Sequence, residues 1–197
     1  MDTILHNKSL SNQFNKVEVY DKWADTYDEY VTSIGYNGPG NFARVFCELV
    51  KKPHIRVLDF GCGTGLLGNE IKNLFNGEIE LVGVDISENM IKNANKKNCY
   101  QEIFNCNLDE MELNEIRNLL GTFDYIVSCG VFLEGHVGFH IFEKLRKLVT
   151  ENIIFTVRES YMIEDYESYN KYVSNNSTYI DQDIDYLDNV RCKLVII

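Results

Sequence analysis

Residues 57–65 read VLDFGCGTG, and they decide the fold. An apolar run enters Gly61, Gly63 and Gly65, and LLGNEIKNLF (66–75) follows with helical spacing. A strand, glycine loop and helix in that order point backbone N–H groups at a ligand and open a parallel α/β sheet. Asp59, just ahead of the glycines, is an odd neighbour for an anion. In a partly desolvated site it would repel a pyrophosphate by about a few kcal/mol, so the ligand is expected to be cationic at that point. The literal G-x-G-x-x-G string, GTGLLG (63–68), has Asp85 downstream where a ribose carboxylate would sit in a dehydrogenase. It starts two residues late, however, and carries Gly68 into the helix, so Gly61, Gly63 and Gly65 are the better set.

Outward from the loop, short β-rich runs recur: IRVLDF (55–60), IELVGV (79–84), YQEIF (100–104), FDYIVSC (123–129) and NIIFTVR (152–158). Helices are expected between them over about 65–75, 88–97, 112–120 and 136–149. Strands alternating with helices imply a parallel sheet covered on both faces. A helix near 161–174 precedes STYIDQDIDYL and VRCKLVII, which only Asp188 and Asn189 separate. That connection is too short for a crossover and predicts an antiparallel hairpin. Upstream, Tyr20, Trp23, Ala24, Tyr27, Tyr30, Val31 and Ile34 form one face of a helix, GYNGPG (35–40) turns the chain, and a second helix runs from about Asn41 to Lys51, with Pro53 stopping it. Residues 1–16 read as a flexible tail and 17–197 as a single domain, with 17–52 a helical cap and 53–197 the sheet core.

The 197 residues are 45% hydrophobic with two prolines, enough for one domain with a sizeable core. Acidic residues outnumber basic ones 30 to 19, and the net charge of -11 removes any general attraction to a nucleic-acid backbone. Six cysteines are scattered without a C-x-x-C pair, and no apolar run near the start resembles a leader or membrane span; a cytoplasmic protein with reduced thiols is expected. His136 and His140 are spaced to share a helix face. With no third ligand nearby, no metal site is expected there.

Five parallel strands and a terminal hairpin built around VLDFGCGTG resemble the class I S-adenosylmethionine-dependent methyltransferases. With YDKWADTYD (20–28) and GYNGPG ahead of the loop, the chain is similar to the methyltransferase-like proteins named for the Williams-Beuren syndrome chromosome region. The resemblance covers most of the chain. It implies a Rossmann-like α/β fold with a seven-stranded, mostly parallel sheet, helices on both faces and a C-terminal antiparallel β-hairpin. It also implies S-adenosyl-L-methionine (SAM) as cofactor and S-adenosyl-L-homocysteine (SAH) as product. SAM carries a sulfonium and an ammonium against one carboxylate, and no phosphate, which accounts for Asp59. That residue is expected to attract the ammonium, directly or through water. Gly61, Cys62 and Gly63 would let the backbone approach the methionine and ribose. Asp85 would accept from both ribose hydroxyls, or else cap the helix that starts at Ser87. Ile86 and Met90 would flank the adenine, or serve only as core. The Asn107 oxygen would accept from the adenine amine, with Cys106 and Leu108 packing beside it. Cys129 and Gly130 would lie beside the methionine moiety, Cys129 as a thiol with no base to ionise it.

Tyr20, Trp23 and Tyr27 could form an aromatic wall near the sulfonium, with Tyr36 at the moving edge of a lid. The alternative is that the stripe packs the helix onto the sheet, which is favoured for Trp23. Methyl transfer is an in-line displacement at an activated carbon, so alignment and water exclusion matter more than a base. If the acceptor must lose a proton, the candidates are Tyr27, Tyr36, Glu134 and His136. The Asn/Asp-Pro-Pro-Tyr/Phe signature of the amide and exocyclic-amine methyltransferases and the Pro-Cys of the cytosine-C5 enzymes need prolines that a chain with only Pro39 and Pro53 lacks. A small-molecule acceptor is therefore expected, with a protein acceptor as second option, and neither DNA nor a membrane as partner. A catalytically silent SAM-binding partner or regulatory module is the competing reading, and a nicotinamide oxidoreductase the third.

Overall fold

The structure is a computed structural model and describes residues 1–175 and 179–197. Its central strands are apolar on both sides because both faces of the sheet are covered. On β1 (His54–Phe60), Val57 packs into one core with Phe42, Phe46 and Ile71, while Leu58 packs into the other with Ile116, Phe142 and Leu145. The same split falls between Leu81 and Val82 on β2 (Glu78–Asp85) and between Tyr125 and Ile126 on β4 (Phe123–Phe132). With β3 (Glu102–Asn105), β5 (Val149–Arg158), β6 (Ile180–Asp183) and β7 (Cys192–Ile196), the sheet order is β3-β2-β1-β4-β5-β7-β6. The first five strands run parallel, and β7 is antiparallel to both β5 and β6, as expected.

The helices are α1 (Asp2–Ser9), α2 (Lys16–Trp23), α3 (Tyr27–Ser33), α4 (Gly38–Leu49), α5 (Leu66–Leu74), α6 (Glu88–Lys96), α7 (Leu113–Leu120), α8 (Phe142–Leu145), α9 (Glu159–Glu164) and α10 (Tyr166–Tyr169). Several depart from expectation. Where the sequence reads as a loose tail, α1 packs Leu5 against Val19 and Trp23, and Thr26 donates to Asp2 at 2.6 Å. The single aromatic-faced helix is two, broken after Trp23, with the α2 start capped by the Asn15 side chain accepting from Glu18 N–H. Over 136–149 the chain forms only a 3-10 turn (Phe139–Ile141) and the short α8, so His136 and His140 share no helix face. The hairpin strands are shorter than their sequence runs. Leu187 and Val190 still bridge around Asp188 and Asn189, with Asn189 at φ +62; Ser177 and Thr178 of the first run lie outside the described residues.

One irregularity positions the site. Ser128 pairs with Phe155 and Phe132 with Val157, so Thr156 of β5 lies opposite Cys129, Gly130 and Val131 of β4. This bulge lifts the end of β4 at the carboxyl edge of the sheet. Gly130 takes φ +82 there, and its N–H donates to Thr156 Oγ1 at 2.9 Å.

Candidate cofactor site

A cavity of about 260 Å3 opens at the carboxyl ends of β1, β2 and β4, bounded on its far side by residues of α2, α3 and α4. Tyr20, Tyr27, Tyr36, Asp59, Gly61, Cys62, Gly63, Asp85, Ile86, Met90, Asn107, Leu108, Cys129, Gly130 and His136 all line it. Glu134 does not; it contributes only its backbone carbonyl, at 3.1 Å from His136 Nδ1.

The loop owes its shape to Gly61, at φ +73, where a Cβ would stand 2.3 Å from Val131 Cγ2. At Gly63, φ +52, a Cβ would meet nothing within 4 Å, so that stretch of backbone faces open space. Asp59 sits at 1% exposure, and Tyr100 donates its hydroxyl to Asp59 Oδ2 at 2.7 Å. Burial pushes the Asp59 carboxyl up to about 7, the Asp85 charge adding to this and the Tyr100 bond opposing it. In the sequence Tyr100 reads only as the start of a strand, which begins instead at Glu102, and neither it nor Gly68 is given a purpose at the site. A Cβ on Gly68 would lie 2.3 Å from the Tyr100 hydroxyl, so this helical glycine admits the ring that holds Asp59.

Asp85 accepts from Gly63 N–H and from Ser87 N–H, both at 2.8 Å, and burial raises its carboxyl pKa against those bonds. Ser87 is itself the α6 cap, its Oγ accepting from Met90 N–H at 3.2 Å. Asp85 therefore ties the glycine loop to the α6 start, and of its roughly four lone-pair sites about two remain for a ligand. Ile86 is 38% exposed beside the cavity and Met90 is fully in the core wall. The Asn107 oxygen already accepts from Asp109 N–H at 3.2 Å, which leaves one lone pair for an adenine amine.

On the acceptor-facing side, the His136 ring is fixed. The Glu134 carbonyl can only accept, so Nδ1 carries the proton and Nε2 accepts from the Tyr20 hydroxyl at 2.8 Å. Burial lowers His136 to about 4, so it is neutral at pH 7. Burial likewise holds Tyr27 and Tyr36 well above 10 and pushes the Cys129 thiol up to about 12. None of the three is ionised near neutrality. Tyr36 donates to the Tyr186 hydroxyl at 3.2 Å and lies 3.5 Å from Cys129 Sγ.

The cap is fastened to the sheet by two carboxylates of the YDKWADTYD stretch to which the sequence reading gave no role. Asp21 accepts from the Ser87 hydroxyl at 2.5 Å and from Asn89 N–H at 3.2 Å, and Asp28 accepts from the Thr64 hydroxyl and from Lys97. Among the described residues, Lys16 is the one Lys or Arg lining the cavity; its ammonium donates to the Ser9 and Ser11 carbonyls at 2.7 and 2.9 Å. With three donors it keeps one to spare.

This sheet order, with a glycine loop after β1 and a carboxylate at the end of β2, is the class I SAM-dependent methyltransferase fold. The Methyltransferase domain family matches residues 51–191, and the chain belongs to that family. It is similar to Methyltransferase-like protein 27 of Homo sapiens, at 33% identity over 124 residues, 62% of this chain and 49% of that protein. The chain spans about half the length, or less, of the curated relatives it matches. Among solved structures it resembles a TehB-like SAM-dependent methyltransferase from Corynebacterium glutamicum, with TM-score 0.61, 12% identity, and 91% of this chain and 97% of that one covered. A DhpI–SAH complex aligns at TM-score 0.53 and 16% identity, covering 96% of this chain and 80% of that one.

Proposed function

We propose that this chain binds SAM in the 260 Å3 cavity and transfers its methyl group to a small molecule. The observation that carries the reading is the pair of acidic residues, Asp59 and Asp85, that line the cavity together with the open Gly63 backbone. Two carboxylates suit hydroxyls and an ammonium and would repel a pyrophosphate. Bound there, SAM would supply an electrophilic methyl group on a positively charged sulfur.

The chain's own residues then align and shield. Asp59 holds the ammonium, Asp85 the ribose hydroxyls, and the spare Lys16 N–H the methionine carboxylate. Ile86 and Met90 flank the adenine, while Tyr20 and Tyr27 exclude water from the side opposite the sheet. His136 is the candidate base that is unprotonated at neutral pH, and Tyr20 must release Nε2 before that nitrogen can take a proton. The similarity to human Methyltransferase-like protein 27 and the YDKWADTYD stretch support placing the chain with the Williams-Beuren-region proteins. Six unpaired cysteines support a cytoplasmic setting.

Calorimetric titration with SAM, with SAH and with NADH tests the cofactor. Heat from the first two and none from NADH is the expected result; binding of NADH alone would return the dehydrogenase reading. If SAM binds and no acceptor in a broad panel is methylated, the silent binding module replaces the enzyme.

A further inference from the structure

A second cavity, of about 50 Å3, lies beneath α2 and α3 beside the first. Tyr20, Tyr27, Tyr36 and Gly130 line both, so these residues stand between the two spaces. Among the described residues, the buried side-chain nitrogens and oxygens that find no hydrogen-bond partner are Trp23 Nε1 and Arg158 Nε, and both residues line this smaller cavity. Each of these atoms can only donate. Arg158 brings a cationic guanidinium, and no Asp or Glu among the described residues lines the cavity to balance it. The nearest carboxylate in sequence, Glu159, faces Arg191 and Lys193 instead, at 3.7 and 3.9 Å.

Two orphan donors and one unbalanced positive charge define the missing complement: a group that only accepts and is negative. A hydroxyl or amide would satisfy one donor and leave the charge. A carboxylate answers both, and guanidinium binds it in a planar fork. The space admits such a group but not a whole metabolite, since a single water already needs about 10–15 Å3. The remainder of the acceptor would extend past Tyr20 and Tyr36 into the larger cavity. The net charge of -11 does not forbid this, because surface charges are screened beyond about 8 Å at physiological salt.

We infer that the methyl acceptor carries a carboxylate, and that Arg158 and Trp23 anchor it in the small cavity. This rests on the methyl-transfer reading above. The test uses the full chain saturated with SAH, titrated with sodium acetate, with acetamide and with inorganic phosphate, while NMR follows the Nε–H signals of Arg158 and Trp23. Acetate should bind saturably and shift both signals, with acetamide at least tenfold weaker. Arg158→Gln should abolish acetate binding, Arg158→Lys should weaken it, and SAH affinity by calorimetry should stay within about twofold in both. Equal responses to acetate and acetamide would make the cavity a water site and overturn the inference. Tighter binding of phosphate than of acetate would overturn the carboxylate assignment. A large loss of SAH affinity in Arg158→Gln would reassign Arg158 to the cofactor's own carboxylate. Failure of SAH to bind the unaltered protein would instead remove the methyl-transfer reading itself, and the wild-type acetate comparison stands even if a variant does not fold.

Discussion

Asp59 carries a charge that its surroundings oppose. Its folded-state pKa, about 7, lies above the ordinary 3.8, so the folded chain holds this proton more tightly than the unfolded chain does. Its contribution to stability is therefore present in full below pH 4 and is lost as pH rises through 7, on the order of a few kcal/mol. Asp59→Asn keeps an acceptor for Tyr100 and removes the buried charge. Calorimetric melting at pH 8 should show the variant more stable than the parent, while its affinity for SAM falls tenfold or more. An unchanged melting temperature together with unchanged affinity would strip Asp59 of both roles. In the parent protein, SAM affinity should climb between pH 6 and 8 as the carboxyl ionises, then level off. Asp85→Ala strands the Gly63 and Ser87 N–H groups as well as the ribose, so titration should show affinity lowered by about 1–3 kcal/mol.

At the scale of elements, glycine in a helix normally costs about 1 kcal/mol relative to alanine. Gly40 in α4 follows that rule: a Cβ there meets nothing within 4 Å, and Gly40→Ala should gain up to about 1 kcal/mol in urea unfolding. Gly68 in α5 should reverse the sign. Its Cβ would displace Tyr100 and orphan Asp59, and Gly68→Ala should lose about 1–3 kcal/mol. A gain at Gly68 equal to that at Gly40 would mean that Tyr100 moves freely. Composition makes the two glycines look alike, and only the ring across from one of them separates them. The central strands β1, β2, β4 and β5 were legible because each carries a run buried on both faces that reads as continuously apolar. The α1 helix was not, since DTILHNKS is mostly polar and Leu5 is held by partners far along the chain. The β4 bulge likewise leaves no pattern in SCGVF beyond a glycine.

For the molecule as a whole, the parallel sheet followed from the alternation of runs and the antiparallel hairpin from its short connection, and the glycine loop with Asp59 and Asp85 located the floor of the cavity. What sequence reading missed are tertiary pairings without local signature: Asp21 with Ser87, Asp28 with Thr64 and Lys97, Arg158 with the Trp23 cavity. Such pairs set how firmly the cap sits over the cavity. Asp28→Asn should leave the melting temperature within about 2 °C, because a half-exposed ion pair is worth only about 0–1 kcal/mol. Hydrogen exchange should nonetheless speed up in α2 and α3, and SAM should bind a few-fold more weakly. Unaltered exchange would show that the aromatic cluster around Trp23 holds the cap alone.

The Tyr100 ring has a consequence for how relatives of this chain can vary. The Cβ positions of Gly65, Gly68 and Gly83 lie 3.0, 2.3 and 3.3 Å from its atoms, so one side chain occupies the space that three glycines leave. Of these, Gly68 is blocked by Tyr100 alone, so positions 68 and 100 should vary together: among homologues, a side chain at 68 should be found where residue 100 is small, and seldom where it is tyrosine.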